Sequence, residues 1–357
     1  MKHNLKIILV LVIAFFLAQV IGLAVIAQYI NIEQTAETQK TVVFEQSYNI
    51  TGITEPPLIR DDSYAFLFIG IAVLIGTGIV LLIIKFKQRR LWKAWFYLSV
   101  IITLMMAFSP FMEKLLKYVQ LTQYTAYITL VIVCILGYFK VFKPNLYVHN
   151  FTELFIYGGL AAILVPVLNM TSIVVLLLLI SAYDAYAVWK SKHMIKMAEF
   201  QTDSNLFAGL MIPKKNFAEQ NSFEFGNPGN KEFSQKLKPM LVEERIAVKS
   251  SASSAKYMVS DKKEAVITTI AGVDEKGEKQ RSAILGGGDI AFPMLFAGTV
   301  FKYAGNLLDP LIIIITVTIA LFLLFIYGDK NKYYPAMPFL TAGCFIGWGI
   351  VWLIGLM

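Results

Sequence analysis

Nine apolar runs divide the chain, each close to the roughly 17 to 25 residues that a helix needs to cross about 30 Å of hydrocarbon. They lie near residues 5–30, 64–84, 94–112, 124–139, 151–168, 172–190, 284–304, 308–327 and 337–356. In that phase no water completes the backbone hydrogen bonds, so each run must close them within itself as a helix. An all-α, multi-pass integral membrane protein follows. The composition agrees, with 57% hydrophobic and only 16% charged residues, far from the balance of a soluble domain. The first run stands behind the basic "MKHNLK" and resembles a secretory signal. It outlasts the roughly 7 to 15 apolar residues of a signal h-region, and retention is expected. Pro166 is expected to tilt or kink the fifth run.

Loop charge sets the orientation, because Lys and Arg stay on the cytoplasmic side. "KFKQRRLWK" at 85–93 is basic, whereas 31–62 carries Glu33, Glu37, Glu45, Glu55, Asp61 and Asp62 against Lys40 and Arg60. Alternation then puts Lys140, Lys143, Lys190, Lys192, Lys330 and Lys332 inside, and only "EKLLKY" disagrees. Nine transmembrane helices with the N-terminus in and the C-terminus out are expected. The net charge of +8 is then a set of anchors facing anionic lipid, and no nucleic-acid partner is expected. The chain divides into helices 1–6 (1–190), a hydrophilic and largely disordered cytoplasmic loop (191–281) and helices 7–9 (282–357). Within the loop, "AVITTIAGV" reads as a short strand. Cys134 and Cys344 lie inside runs, far from any CxxC spacing, and read as packing residues.

Few carboxylates enter these runs. Asp309 precedes Pro310 and reads as an ordinary N-cap. Asp184 has no such explanation: it lies six residues before Lys190, about 9 Å inside the end of its helix. Burial there costs roughly 2.5 to 3.5 kcal/mol, and such residues normally mark function. Asp289, eight residues after Arg281, reaches a similar depth on the next helix, which runs the other way. Gly286, Gly287 and Gly288 let the backbone come close and adopt conformations closed to other residues. Pro293 cannot donate to the Asp289 carbonyl and loosens the same turn. Two carboxylates brought together cannot both ionise cheaply, so they share a proton. One is then a base toward water and the other an acid toward a peptide carbonyl.

Tyr183-Asp184, the run Gly286 to Asp289 and "PAMP" at Pro335 to Pro338 together resemble the YD, GxGD and PAL motifs of the presenilin and signal peptide peptidase family of intramembrane aspartyl proteases. Each falls on the expected element: helix six, helix seven and the cytoplasmic start of helix nine. The departures are Gly287 at the variable GxGD position and Met337 where the family has Leu, a volume-conserving change. The resemblance implies Asp184 and Asp289 as the catalytic pair, with Tyr183, Gly286, Gly287 and Gly288 supporting them. Substrate would meet Pro335, Ala336 and Met337, and the N-in orientation favours the presenilin side of the family. Presenilins are the catalytic subunit of a larger complex and simpler relatives, archaeal ones included, act alone; both arrangements stay open here.

An unwound substrate helix needs new backbone partners in a phase without bulk water. The extended "RSAILGG", with Ala283, Ile284 and Leu285, leads to Asp289 and is expected to add a strand to the substrate, its N–H groups at Ala283 or Leu285 being the ones to test. "AVITTIAGV" is the expected second strand. A zinc or rhomboid-type protease is not expected, since there is no HExxH and His3, His149 and His193 lie at or beyond helix ends. No metal and no cofactor is expected. The alternative is a transporter or cation leak channel built on paired carboxylates.

Overall fold

The computed structural model of the chain describes residues 5–31, 35, 88–143, 145–189, 207–212, 283–328 and 334–355, with isolated positions between 71 and 86. Eight long helices stand in this set: α1 (Leu5–Ile26), α2 (Arg89–Lys117), α3 (Thr125–Val141), α4 (Leu146–Leu164), α5 (Met170–Trp189), α6 (Gly287–Ala304), α7 (Leu308–Tyr327) and α8 (Ala336–Ile354). Six regions, including five of these helices whole, are long and apolar enough to cross a membrane: α1, residues 90–117 of α2, 122–141 with α3, α5, α7 and α8. The predicted run 64–84 and the strand predicted at "AVITTIAGV" lie outside the described residues, apart from helical positions such as Ile71, Ile79 and Ile83 in the former.

Helix α6 is the axis of the structure. It packs against α1, α4, α5, α7 and α8, and from Pro293 to Lys302 every residue is buried. A helix apolar on all sides is what such a position requires. Phe296 sits edge-on to Phe345 and Trp348 of α8, and Ile290, Met294 and Phe301 join Phe15, Ile26, Val165 and Ile313 in one core. With no hydrophobic drive between helices in lipid, close backbone approach takes over. A Cβ on Gly159 of α4 would lie 1.8 Å from the Thr103 carbonyl oxygen of α2, and one on Gly343 of α8 would lie 3.0 Å from the Val317 Cα of α7.

Several helix ends differ from those expected. Helix α4 starts before its predicted apolar run, because the Asn145 side chain caps it by accepting the Tyr147 N–H at 2.9 Å. It ends before Pro166, which terminates the helix instead of kinking it, because proline has no N–H to carry the helical ladder onward. At the start of α7 Asp309 is not the cap. Asn306 accepts the N–H groups of Leu308 and Asp309, both at 3.0 Å, and Asp309 lies buried in the first turn.

Residues 284–286, counted at the head of the seventh apolar run and also read as part of an extended segment, are strand. Ala283–Gly286 (β2) pairs antiparallel with Gly209–Ile212 (β1), Leu210 opposite Leu285 and Gly209 opposite Gly286. β1 lies in the segment expected to be largely without structure. Gly209 starts it at φ 142°, a conformation that favours glycine. Leu210 and Leu285 join the main core, so the sheet is pinned to the helices by its side chains as well as its backbone.

The Gly159 contact carries a test. Gly159→Ala pushes a methyl into backbone that cannot move aside, and is expected to cost about 1–3 kcal/mol of stability in detergent. Gly349→Ala, whose Cβ meets nothing within 4 Å, is the control and leaves the thermal midpoint unchanged.

Candidate active site

Asp289 stands three residues into α6, whose N-cap is Gly286. From there its carboxylate reaches back to the Gly286 N–H, the reciprocal half of a capping box. A Cβ on Gly286 would approach its Oδ2 to 3.2 Å, and one on Gly287 would come within 2.6 Å of the Tyr157 hydroxyl. Gly288 has room for a Cβ, at 3.6 Å from Phe292. None of the three has a positive φ. The glycines therefore serve close approach at 286 and 287, and not the unusual backbone conformations expected of them.

Asp184 is held from another direction. Its Oδ2 accepts the Met337 N–H at 3.1 Å, and the Ala336 N–H also bonds it. Pro335 is the extended N-cap of α8, at φ −65° and ψ 123°, so Ala336 and Met337 open the helix with N–H groups that no helical carbonyl can reach. One turn away Ser181 and Thr341 are hydrogen-bonded at 2.6 Å, which ties α5 to α8 a second time. Both carboxylates thus face the positive end of a helix dipole, and they lie within electrostatic reach of each other. Of "PAMP" only Pro335 is extended; Pro338 already belongs to the helix.

Other groups near Asp289 escape a hydropathy reading. Glu153 of α4 is 1% exposed and its Oε1 accepts from Lys140 Nζ at 2.5 Å. Its Oε2 accepts the Gly209 N–H at 3.1 Å and the Tyr157 hydroxyl. Lys140 is therefore no lipid anchor; it is buried in an ion pair. Tyr157 in turn fills the space over Gly287 and feels the charge of Asp289. Gln19 of α1 donates to the Ile290 carbonyl at 2.8 Å, in the turn that Pro293 leaves short of a donor. A polar residue in the middle of an apolar run was the signal available for Gln19.

Of the residues predicted from sequence, Asp184, Asp289, Gly286, Gly287, Ala336 and Met337 come together, and Pro335 shapes the last two. Leu285 is buried in the core, Ala283 and Ile284 lie in β2, and Gly288 is exposed at the first turn of α6. Tyr183 is 61% exposed.

A helical membrane fold that sets two carboxylates against the N-terminal turns of two helices defines a class, the intramembrane aspartate proteins. The chain belongs to the signal-peptide peptidase, presenilin aspartyl protease family, whose model matches residues 41–356. No curated protein matches it significantly. Two structures described as a presenilin family intramembrane aspartate protease, in P2 and C222 crystal forms, share the fold. Each has a TM-score of 0.54, at 17% and 15% identity, covering 96% and 97% of this chain and 96% and 99% of theirs. The protein is accordingly an aspartic endopeptidase of the membrane, and the transport reading gains no support.

The Lys140–Glu153 pair makes its own prediction. Lys140→Met strands a buried carboxylate and is expected to cost about 3–5 kcal/mol. Adding Glu153→Met should restore part of that loss and not all, since Gly209 and Tyr157 then lack their acceptor. Thermal unfolding of the two single variants and the double variant measures the coupling.

Proposed function

We propose that Asp184 and Asp289 are the catalytic pair, hydrolysing peptide bonds of transmembrane helices with water as nucleophile. The observation that carries this is the placement of both carboxylates at helix N-termini within electrostatic reach of each other. The ionised member takes a proton from water as its oxygen bonds the scissile carbonyl carbon. The protonated member gives its proton to the carbonyl oxygen, and a tetrahedral diol forms. The first member then returns its proton to the amide nitrogen while the other, now ionised, takes back a proton from a diol hydroxyl, so the C–N bond breaks and leaves an acid and an amine. The amides of Ala336, Met337 and Gly286 hold the carboxylates without taking part in the transfer. Nine spans with the N-terminus in and the C-terminus out fit this site, with the catalytic end on the cytoplasmic side.

Substrate is bound as a strand. In an antiparallel pair, alternate residues turn both backbone groups toward the partner. The Gly287 N–H bonds the Ala208 carbonyl at 3.1 Å, so Leu285 and Ala283 face β1 in the same way. The outward positions are Gly286, whose N–H is used by Asp289, and Ile284. Ile284 therefore replaces Ala283 and Leu285 as the residue that offers its backbone to an unwound substrate.

Asp184→Asn and Asp289→Asn are each expected to abolish cleavage in folded, extracted protein, because Asn neither shares the proton nor activates water. Substantial residual activity in either would remove that residue from the pair. The wild-type rate should follow a bell-shaped pH profile with a mildly acidic optimum. At low pH both carboxylates are protonated and no base remains; at high pH both are ionised and no acid remains.

Ile284→Pro removes the outward N–H from an edge that tolerates proline. It is expected to lower kcat/KM for a transmembrane substrate at least about tenfold while a transition-state analogue still binds. Unchanged cleavage would rule out strand pairing at this edge.

A further inference from the structure

The edge of β1 that faces away from β2 is closed by side chains from α4. Asn150 bonds Met211 twice, accepting its N–H at 3.1 Å and donating to its carbonyl at 2.8 Å. One turn along, Glu153 accepts the Gly209 N–H at 3.1 Å, and His149 Nε2 lies 2.9 Å from the Gly209 carbonyl oxygen. These are the bonds that a third antiparallel strand would make to Gly209 and Met211.

Lys140 fixes the sense of the cluster. Its ammonium can only donate, so His149 accepts from it at Nδ1, 3.3 Å away. The Nε2 then carries the hydrogen and donates to Gly209. Spacing explains the residues: His149 and Glu153, four apart, share a helix face, and Asn150 stands beside His149 on the next position round.

We propose that this rack of side chains stands in for a third strand, so that an unwound substrate is directed to β2, and that Asn150 and Glu153 are positioning residues for the bond cleaved. The inference rests on substrate pairing with β2. β1 holds β2 in register through Leu210 and Leu285, and β2 runs without a break into Gly287 and Asp289. A substrate strand laid on Ile284 therefore meets the carboxylates at a set residue. Loss of the rack frees β1 to slip or to pair with substrate itself, and a slipped strand presents a different bond.

Asn150→Leu in the full-length protein tests this, because Asn150 touches neither Asp289 nor Tyr157 in the network above. KM for a transmembrane substrate is expected to rise about tenfold for two lost hydrogen bonds, with kcat and binding of a transition-state analogue little changed. Mass spectrometry of the products should show cleavage spreading to neighbouring bonds. Asn150→Asp keeps the volume and the acceptor and loses the donor, and should show the same effects more weakly. Wild-type KM and a wild-type cleavage pattern in both variants would overturn the proposal. So would loss of analogue binding in both, which would make the rack a support of the catalytic pair and not of substrate register. Ile284→Pro, measured in parallel, separates the two readings. If it is impaired while both Asn150 variants are normal, the rack alone fails; if it cleaves normally, strand pairing fails and the rack proposal with it.

Discussion

Within hydrocarbon every backbone N–H and C=O needs a partner inside the protein, and the active end of this molecule is built from places where helices cannot supply one. The first turn of a helix has N–H groups with no helical acceptor. At α8 two of them are taken by Asp184, and at α6 the N-cap amide is taken by Asp289. The carboxylates are thereby solvated by peptide dipoles in place of water. The same requirement governs β1, whose outward groups are met by Asn150, Glu153 and His149. One constraint thus accounts both for the position of the carboxylates and for the polar residues buried around them.

The rest of the fold keeps these ends in place. Helix α6 is buried over most of its length, so Asp289 has little freedom relative to α1, α4 and α8. Helix α5 is held to α8 by Asp184 and again by Ser181 with Thr341. The two carboxylates therefore belong to elements anchored in different ways. Asp289 sits on a rigid axis and Asp184 on a clamp between two helices.

Much of this was legible in the sequence, for physical reasons that also mark the limit. Apolar runs reveal themselves because lipid tolerates little else, and Asp184 and Asp289 stand out because a carboxylate there needs a reason. Glu153 did not stand out, since it lies at the edge of its run and its partners, Lys140 and Gly209, come from other elements. β1 has only four residues in a long polar segment, and its partners, β2 and the side chains of α4, come from distant parts of the chain. Asp309 looked like a cap because its spacing to Pro310 is right, but the helix starts at Leu308, and Asn306 accepts the amides of Leu308 and of Asp309 itself. Local rules placed the helices; the contacts between them decided the ends.

Peptide-bond hydrolysis by this membrane fold can be read by incubating the purified full-length protein, in lipid vesicles, with a single transmembrane peptide and an aspartic-protease transition-state analogue. Discrete products cut within the hydrophobic segment are expected, and their loss when the analogue is added. An intact peptide, with ion flux across the same vesicles, would contradict it.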